Sequence, residues 1–395
     1  MTERPLRILT VANVPPDPNS GAAGTVYHTN VALRELGHDV DEIWEHDLGK
    51  RWISHGNLHS LLEQPRLYRT AVRAAVAKKE YDVIQMSQPQ AWLAAQDLKA
   101  RGFGGLVMNR SHGLELRVDS VLPEWHRTME IPESRFPRSL LTPVLRKLLQ
   151  GQWWKAVQYS DGVIVTCEMD RDFLISKVPA AAGKTFAVHH GVAAEFVGRP
   201  VRELAPEKLT RILYVGQHSF IKGYHVLTQV LSKALADNPQ LTCTWITAKS
   251  GHAEILSLVD SAVHRQLRLE GWRPQTELID LYDEHGIFIF PSFFEGAGKA
   301  SLEALARQMY VIASDTGAMH DYIAPDRAGA LCPVGEVDAF VRAVQAAQIN
   351  PQAAIAAATK GRQVAAAKSW KTCAAGLVSA YETLGSRRQQ PGKTS

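Results

Sequence analysis

The chain has 395 residues, 45% hydrophobic and 21% charged, a balance that fits a globular protein and excludes a disordered, fibrous or membrane-spanning one. A net charge of +4 is mild, and no nucleic-acid partner is expected. At roughly 100 to 200 residues per domain, the length predicts two domains.

Cys167, Cys243, Cys332 and Cys373 lie far apart with no Cys-x-x-Cys pair, which indicates neither a disulfide framework nor a zinc cluster. The opening "MTERPLRILTVANVPP" holds no secretory apolar core, and no run reaches the ~18 apolar residues of a membrane span. A cytoplasmic protein is expected.

From the N-terminus, the apolar run "RILTVA" is followed by "GTVYHTNVALREL", where Val26, Leu33 and Leu36 share a face at helical spacing. "DVDEIW", "YDVIQMS", "GGLVMN", "DGVIVTC" and "TFAVHH" continue the series as strands alternating with helices. Such alternation predicts a parallel sheet covered on both faces. Ala193 to Leu209 contains two prolines, several charges and no strand period, and reads as a linker.

The pattern then restarts with "RILYVG", "LTCTWITA", "LRLEG", "IFIFPS", "VIASD" and "GALCP". The predicted fold class is therefore α/β, with two Rossmann-like doubly wound domains at residues 1–195 and 205–370 facing an inter-domain cleft. "QAAIAAATKGRQVAAAK" and "WKTCAAGLVSAYETL" read as helices, and "SRRQQPGKTS" as a disordered tail.

Two nucleotide motifs fail. Gly183-Lys184-Thr185 resembles the end of a phosphate-binding loop, but Val178 stands where that loop needs glycine; Gly392-Lys393 fails the same way at Arg387. The first loop, "PPDPNSGAAGT", has no G-x-G-x-x-G, which argues against a dinucleotide dehydrogenase. His189-His190 has no partner at metal-ligand spacing, and no metal is expected.

What recurs is glycine where a strand hands over to a helix: Gly21 to Gly24 in the first half, and Gly296 to Gly298 in the second. These loops either make tight turns or offer backbone N–H groups to an anion at a helix N-terminus. Lys222, after the strand ending at Gly216, is either a solvated side chain or a cation for a phosphate. Glu295 and Glu303 flank the second glycine loop. They are either a loop charge and an early-helix acid, or a pair of acceptors for vicinal hydroxyls. A cleft with anion loops, a lysine and two such acids describes a nucleotide-sugar site.

The pair Glu295 and Glu303, with seven residues between them within "FPSFFEGAGKASLEALA", closely resembles the signature of retaining glycosyltransferase family 4, the glycosyl transferases group 1 enzymes of GT-B fold. "NRSHGLE", "VIVTCEMDRDFL", "VHHGV", "LYVGQHSFIKG", "EGWRPQTELIDLYDEHGIFIFPS", "SDTGAMHDYI" and "SWKTCAAGLVSAYETL" extend the resemblance over nearly the whole chain. It implies that Glu303 binds the donor ribose and Glu295 the transferred sugar. Lys222 and the backbone of Gly296, Ala297, Gly298 and Lys299 would hold the diphosphate, beside Gly216 and Gln217. Gly21 would approach the phosphates or sugar from the other domain, and His112 would lie near the reacting sugar. The last helix, residues 370–386, would cross back to the first domain.

The implied activity is retaining, metal-independent hexosyl transfer from a UDP-sugar or GDP-sugar to a glycan or lipid-linked acceptor, with no cofactor. The family commonly has arginine where this chain has Gln217, so one phosphate cation is missing. A neutral hydrogen bond contributes about 1 kcal/mol against ~1.5–3 for a charge-assisted one, which keeps open a weakly active scaffold subunit; a nucleotide-sugar epimerase is the alternative enzyme. Asp170 and Asp172 imitate a metal-binding Asp-x-Asp outside the donor signature. Arg135 to Ala156 has five basic residues and no acid among Leu and Trp, and reads either as an ordinary amphipathic helix or as a peripheral contact with the inner face of a membrane.

Overall fold

The computed structural model describes residues 4–134 and 138–389. Among them, every apolar run singled out above forms a strand, and the strands build two six-stranded sheets in which each described pair is parallel. The first sheet contains β1 (Arg7–Val11), β2 (Asp39–Ile43), β3 (Val83–Ser87), β4 (Leu106–Arg110), β5 (Gly162–Val165) and β6 (Thr185–Ala187), in the order β2-β1-β3-β4-β5-β6. The second contains β7 (Arg211–Val215), β8 (Thr242–Ile246), β9 (Leu267–Glu270), β10 (Ile287–Phe290), β11 (Tyr310–Ser314) and β12 (Gly329–Cys332), in the order β12-β11-β10-β7-β8-β9. The central strands are buried on both faces, which is why they read as continuous apolar runs rather than alternating ones.

The chain divides into two compact units: residues 1–190 with 370–395, and residues 191–369. In the first unit, Ile8, Leu33, Val83, Met108 and Ile164 share one core with Leu377 and Tyr381 of the helix Trp370–Gln389. That helix runs past the expected start of the tail. Arg388 donates to the Gly105 carbonyl at 2.8 Å and pairs with Asp161, while Arg387 donates to the Gly183 carbonyl. These bonds hold the last helical turn; residues 390–395, the rest of the expected tail with Gly392-Lys393, lie outside the described residues.

The expected linker is part of the second unit. Val192 N–H donates to the Lys368 carbonyl at 2.8 Å, and Phe196 is fully buried edge-on to Tyr282. Arg307 donates to the carbonyls of Phe196, Arg199 and Pro200. The segment that suggested a linker instead holds a strap at residues 196–200, three of whose carbonyls accept from one buried guanidinium.

In each sheet the strand order reverses once, between β1 and β3 in the first and between β7 and β10 in the second. In open parallel sheets the crevice beyond the carboxyl ends at such a point is where ligands bind. No helix among the described residues is long and apolar enough to cross a membrane.

Candidate functional site

In the second unit, β7 delivers Gly216 and Gln217, and β10 delivers the loop from Pro291 to Gly298, at the reversal point. The two loops are joined by the Phe293 N–H, which donates to the Ile221 carbonyl at 3.0 Å. This bond fixes the short turn Phe220–Lys222 against the β10 loop. Lys222 Nζ lies 2.6 Å from Glu295 Oε2 and 5.4 Å from the centre of the Phe290 ring. Glu295 is 8% exposed, and its Oε1 accepts from the Gly298 N–H at 3.2 Å. Two residues far apart in sequence therefore form one partly buried ion pair, and one of the loop amides expected to face a diphosphate is held by the Glu295 carboxylate.

The glycines are demanded by geometry. Gly298 has φ +61°, and a Cβ there would sit 2.0 Å from Met319 Cε. Gly317, just before the helix Ala318–Ile323, has φ +59°, and its Cβ would fall 1.8 Å from the Glu295 carbonyl oxygen. Gly317→Ala must either move the Glu295 loop or strain the backbone, at about 1–3 kcal/mol. Urea unfolding should show a loss of stability in that range or above; wild-type stability would contradict the packing.

The helix Lys299–Ala306 opens directly after Gly298, so its first-turn N–H groups have no intrahelical acceptors and point out of the N-terminus. Glu303 lies one turn in and is 6% exposed. Tyr282 O–H donates to its Oε2 at 3.2 Å, and Lys299 Nζ is 4.0 Å from its Oε1. Burial, then the Glu303 charge, holds the Tyr282 hydroxyl well above its ordinary pKa, so Tyr282 stays a donor. The second unit thus brings Lys222, Glu295, Gly296, Ala297, Gly298, Lys299 and Glu303 into one continuous set of loop and helix. Gly216 and Gln217 stand at the adjoining strand end, with Gln217 exposed.

In the first unit, Gly21 caps the helix Ala22–Glu35, and a Cβ there would meet no atom within 4 Å, whereas a Cβ on Gly24 would clash with the Pro18 carbonyl oxygen at 2.5 Å. The crowded glycine of this loop is Gly24, not Gly21. His112, two residues past β4, has its Nε2 3.2 Å from Ser87 Oγ, and its ring centre is 6.2 Å from that of His190. Burial and then Arg110 push its imidazole down to about 3, so His112 is neutral at ordinary pH.

Glu115 behaves oppositely. Its Oε2 is buried with no hydrogen-bond partner among the described residues, and burial pushes the carboxyl up to about 8 from its ordinary 4.5. Between those two values the folded chain keeps a proton that the unfolded chain has lost, so this contribution to stability falls as pH rises from about 4.5 to 8 and is level above that. Glu115→Gln should reduce the drop in melting temperature between mildly acidic and mildly alkaline buffer; an unchanged drop would show that Glu115 does not titrate there.

Several residues had no signal in the sequence. Asp283 and Tyr282 meet Arg307 and Glu303 only through tertiary packing. Asp170 is fully buried in an ion pair with Arg117 at 2.6 Å and accepts from the Leu114 N–H, a structural role that explains the Asp-x-Asp look-alike. Lys184 of the phosphate-loop look-alike donates to the carbonyls of Val157 and Ser160. A cavity of about 320 Å³ lies in the first unit, lined in part by Asn13, Glu45, His46 and His59, none of them among the residues expected to act.

Residues 210–348, a segment that contains both Gly216 to Lys222 and Glu295 to Glu303, match the family model described as glycosyl transferases group 1. The structure is similar to sucrose-phosphate synthase from Thermosynechococcus elongatus, with a TM-score of 0.71 at 19% identity, covering 96% of this chain and all of the other. The fold is GT-B. The catalytic domain of starch synthase IV from Arabidopsis thaliana, bound to ADP and acarbose, gives a TM-score of 0.69 at 14% identity, covering 97% of this chain and 100% of that one. In sequence, the chain is 23% identical to glycogen synthase of Mycobacterium tuberculosis over 98% of this chain and 97% of the relative. These matches support a glycosyltransferase of the GT-B type.

Proposed function

We propose that the chain is a retaining glycosyltransferase of family 4 that moves a sugar from a UDP-sugar or GDP-sugar to a hydroxyl of a glycan or lipid-linked acceptor, in surface polysaccharide or glycolipid synthesis. The observation that carries this reading is the convergence of Lys222, Glu295 and Glu303 at the β7/β10 reversal, inside the matched family segment.

In this reading Glu303, oriented by Tyr282, accepts from the ribose hydroxyls, and Glu295 from hydroxyls of the transferred sugar. Lys222, Lys299 and the first-turn amides of the helix Lys299–Ala306 face the diphosphate. The sugar–phosphate bond ionises toward an oxocarbenium-like state, the electron pair leaves with the nucleoside diphosphate, and the acceptor hydroxyl attacks from the same face as its proton passes to a phosphate oxygen of that departing diphosphate. Preorganised cations and amides aimed at the leaving group supply the main rate enhancement, and they take the part a metal plays elsewhere. His112, neutral at ordinary pH, can give or accept a hydrogen bond at a sugar hydroxyl without bringing a charge.

The reading is tested by incubating the chain with UDP-sugars and GDP-sugars and candidate acceptors, following diphosphate release with and without chelator, and reading the product anomer by NMR. Retained configuration with chelator-resistant release is expected. An inverted product would contradict the retaining assignment, and epimerised donor formed without acceptor would make the chain an epimerase.

A further inference from the structure

We propose that the first unit docks on an anionic lipid surface through an apolar and cationic face made by two adjoining segments, residues 50–66 and the helix Arg138–Tyr159. This inference does not depend on the transferase reading. The solvent side of a globular protein's helix is ordinarily polar. Here Leu141, Val144 and Leu148 are 63, 57 and 51% exposed and, three and four residues apart, lie along one side. Trp154, about 120° round the helix from Leu148, is 44% exposed and widens this face. The helix contains no acid, and Lys147 and Lys155 are exposed among these side chains.

Gln152 Nε2 donates to the Ser60 carbonyl at 3.1 Å, which ties the helix to the turn His59–Glu63. That neighbouring segment repeats the pattern. Trp52 is 77% exposed, with Leu58 and Leu62 at 37 and 46%, and Lys50, Arg51 and Arg66 are exposed beside them. Its acid, Glu63, is already engaged by the N–H groups of Trp52 and Ile53 and by His59 Nδ1 at 2.7 Å. Burial contributes little at this surface, so packing within the unit does not explain these side chains.

A bilayer surface fits this chemistry. Indole rings favour the headgroup level, Leu and Val side chains the acyl boundary, and lysines can reach back to anionic phosphates while their stems lie flat. A face with cations and no unengaged acid is complementary to anionic lipid. Arg135 to Pro137, the start of the basic stretch, lie outside the described residues.

The test is flotation of the full chain with phosphatidylcholine vesicles, with and without about 30 mol% phosphatidylglycerol, at low and high salt. The wild type is expected to float with the anionic vesicles at low salt and about tenfold less with neutral ones or at high salt. Leu141→Glu with Leu148→Glu should lose binding while keeping the wild-type melting temperature, because both sites are exposed. Lys147→Glu with Lys155→Glu should lose the preference for anionic lipid. No flotation with anionic vesicles at low salt would overturn the proposal, as would undiminished binding by the leucine variant. So would lipid-free self-association that the same variant abolishes, since the face would then join two copies of the chain.

Discussion

Lys222→Ala is expected to lower the rate of sugar transfer at saturating donor by about 10²- to 10³-fold, the size of effect seen when one preorganised donor to a developing negative charge is removed. Two consequences of the substitution act in the same direction. The ammonium that would face the departing diphosphate is lost, and Glu295, 8% exposed and paired with Lys222 at 2.6 Å, keeps a carboxylate without its cation beside an anionic ligand. Gln217 is a neutral amide, so Lys299, 4.0 Å from Glu303, is the cation left to share the load with Lys222. Lys222→Arg should recover only part of the rate, since a planar guanidinium does not reproduce a compact ammonium. Steady-state rates with circular dichroism as a folding control decide the matter, and a rate within about threefold of wild type would place leaving-group stabilisation on other groups.

Arg307→Leu is expected to destabilise the second unit by about 3–5 kcal/mol. Arg307 is 2% exposed, binds Asp283 through two bonds of 2.8 and 2.7 Å, and donates to three carbonyls of the 196–200 strap. Removing it leaves a buried carboxylate and the buried Phe196 carbonyl without partners and takes the donor from the part-buried carbonyls of Arg199 and Pro200, which costs far more than the pair contributes over an apolar replacement. Total stabilities of about 5–15 kcal/mol make this a large fraction of the whole. Urea unfolding measures it. Adding Asp283→Leu should return part of the loss, because the two residues are in direct contact and their effects are not additive. A loss under about 1 kcal/mol would mean that water reaches Asp283.

The strands were legible because parallel strands buried on both faces must be apolar throughout, as in "IFIF" and "GVIV". Glu295 and Glu303 were legible for a local reason. Strand, glycine turn and helix fall within one short stretch, so their placement follows from chain geometry alone. Lys222 could be singled out by its position after a strand, but its pairing with Glu295 spans 73 residues and depends on the loops meeting at the sheet reversal.

Other features depended wholly on such distant contacts. The stretch Ala193 to Leu209 reads as a linker because its prolines and charges say nothing of Arg307, more than 100 residues from the strap at 196–200. Gly317 carried no mark of its role, since the reason for its glycine is the Glu295 carbonyl on another loop. The last helical turn looked like a tail because Arg387 and Arg388 are ordinary surface residues until carbonyls at Gly183 and Gly105 receive them. In the first glycine loop, the resemblance names Gly21, where a Cβ would meet open space, whereas the crowding at Gly24 comes from the Pro18 carbonyl and carries no mark in the sequence.

The most direct test is the thermal stability of the full chain with UDP, GDP and their sugars, measured alongside Glu303→Ala and Lys222→Ala. A ligand at 100 times its dissociation constant should add about 2.7 kcal/mol to the wild type. Stabilisation by one nucleotide-sugar family, abolished by Glu303→Ala and weakened by Lys222→Ala, is the result expected of a donor site at the β7/β10 reversal. No stabilisation by any of these ligands, or stabilisation that persists unchanged in both variants, would contradict it.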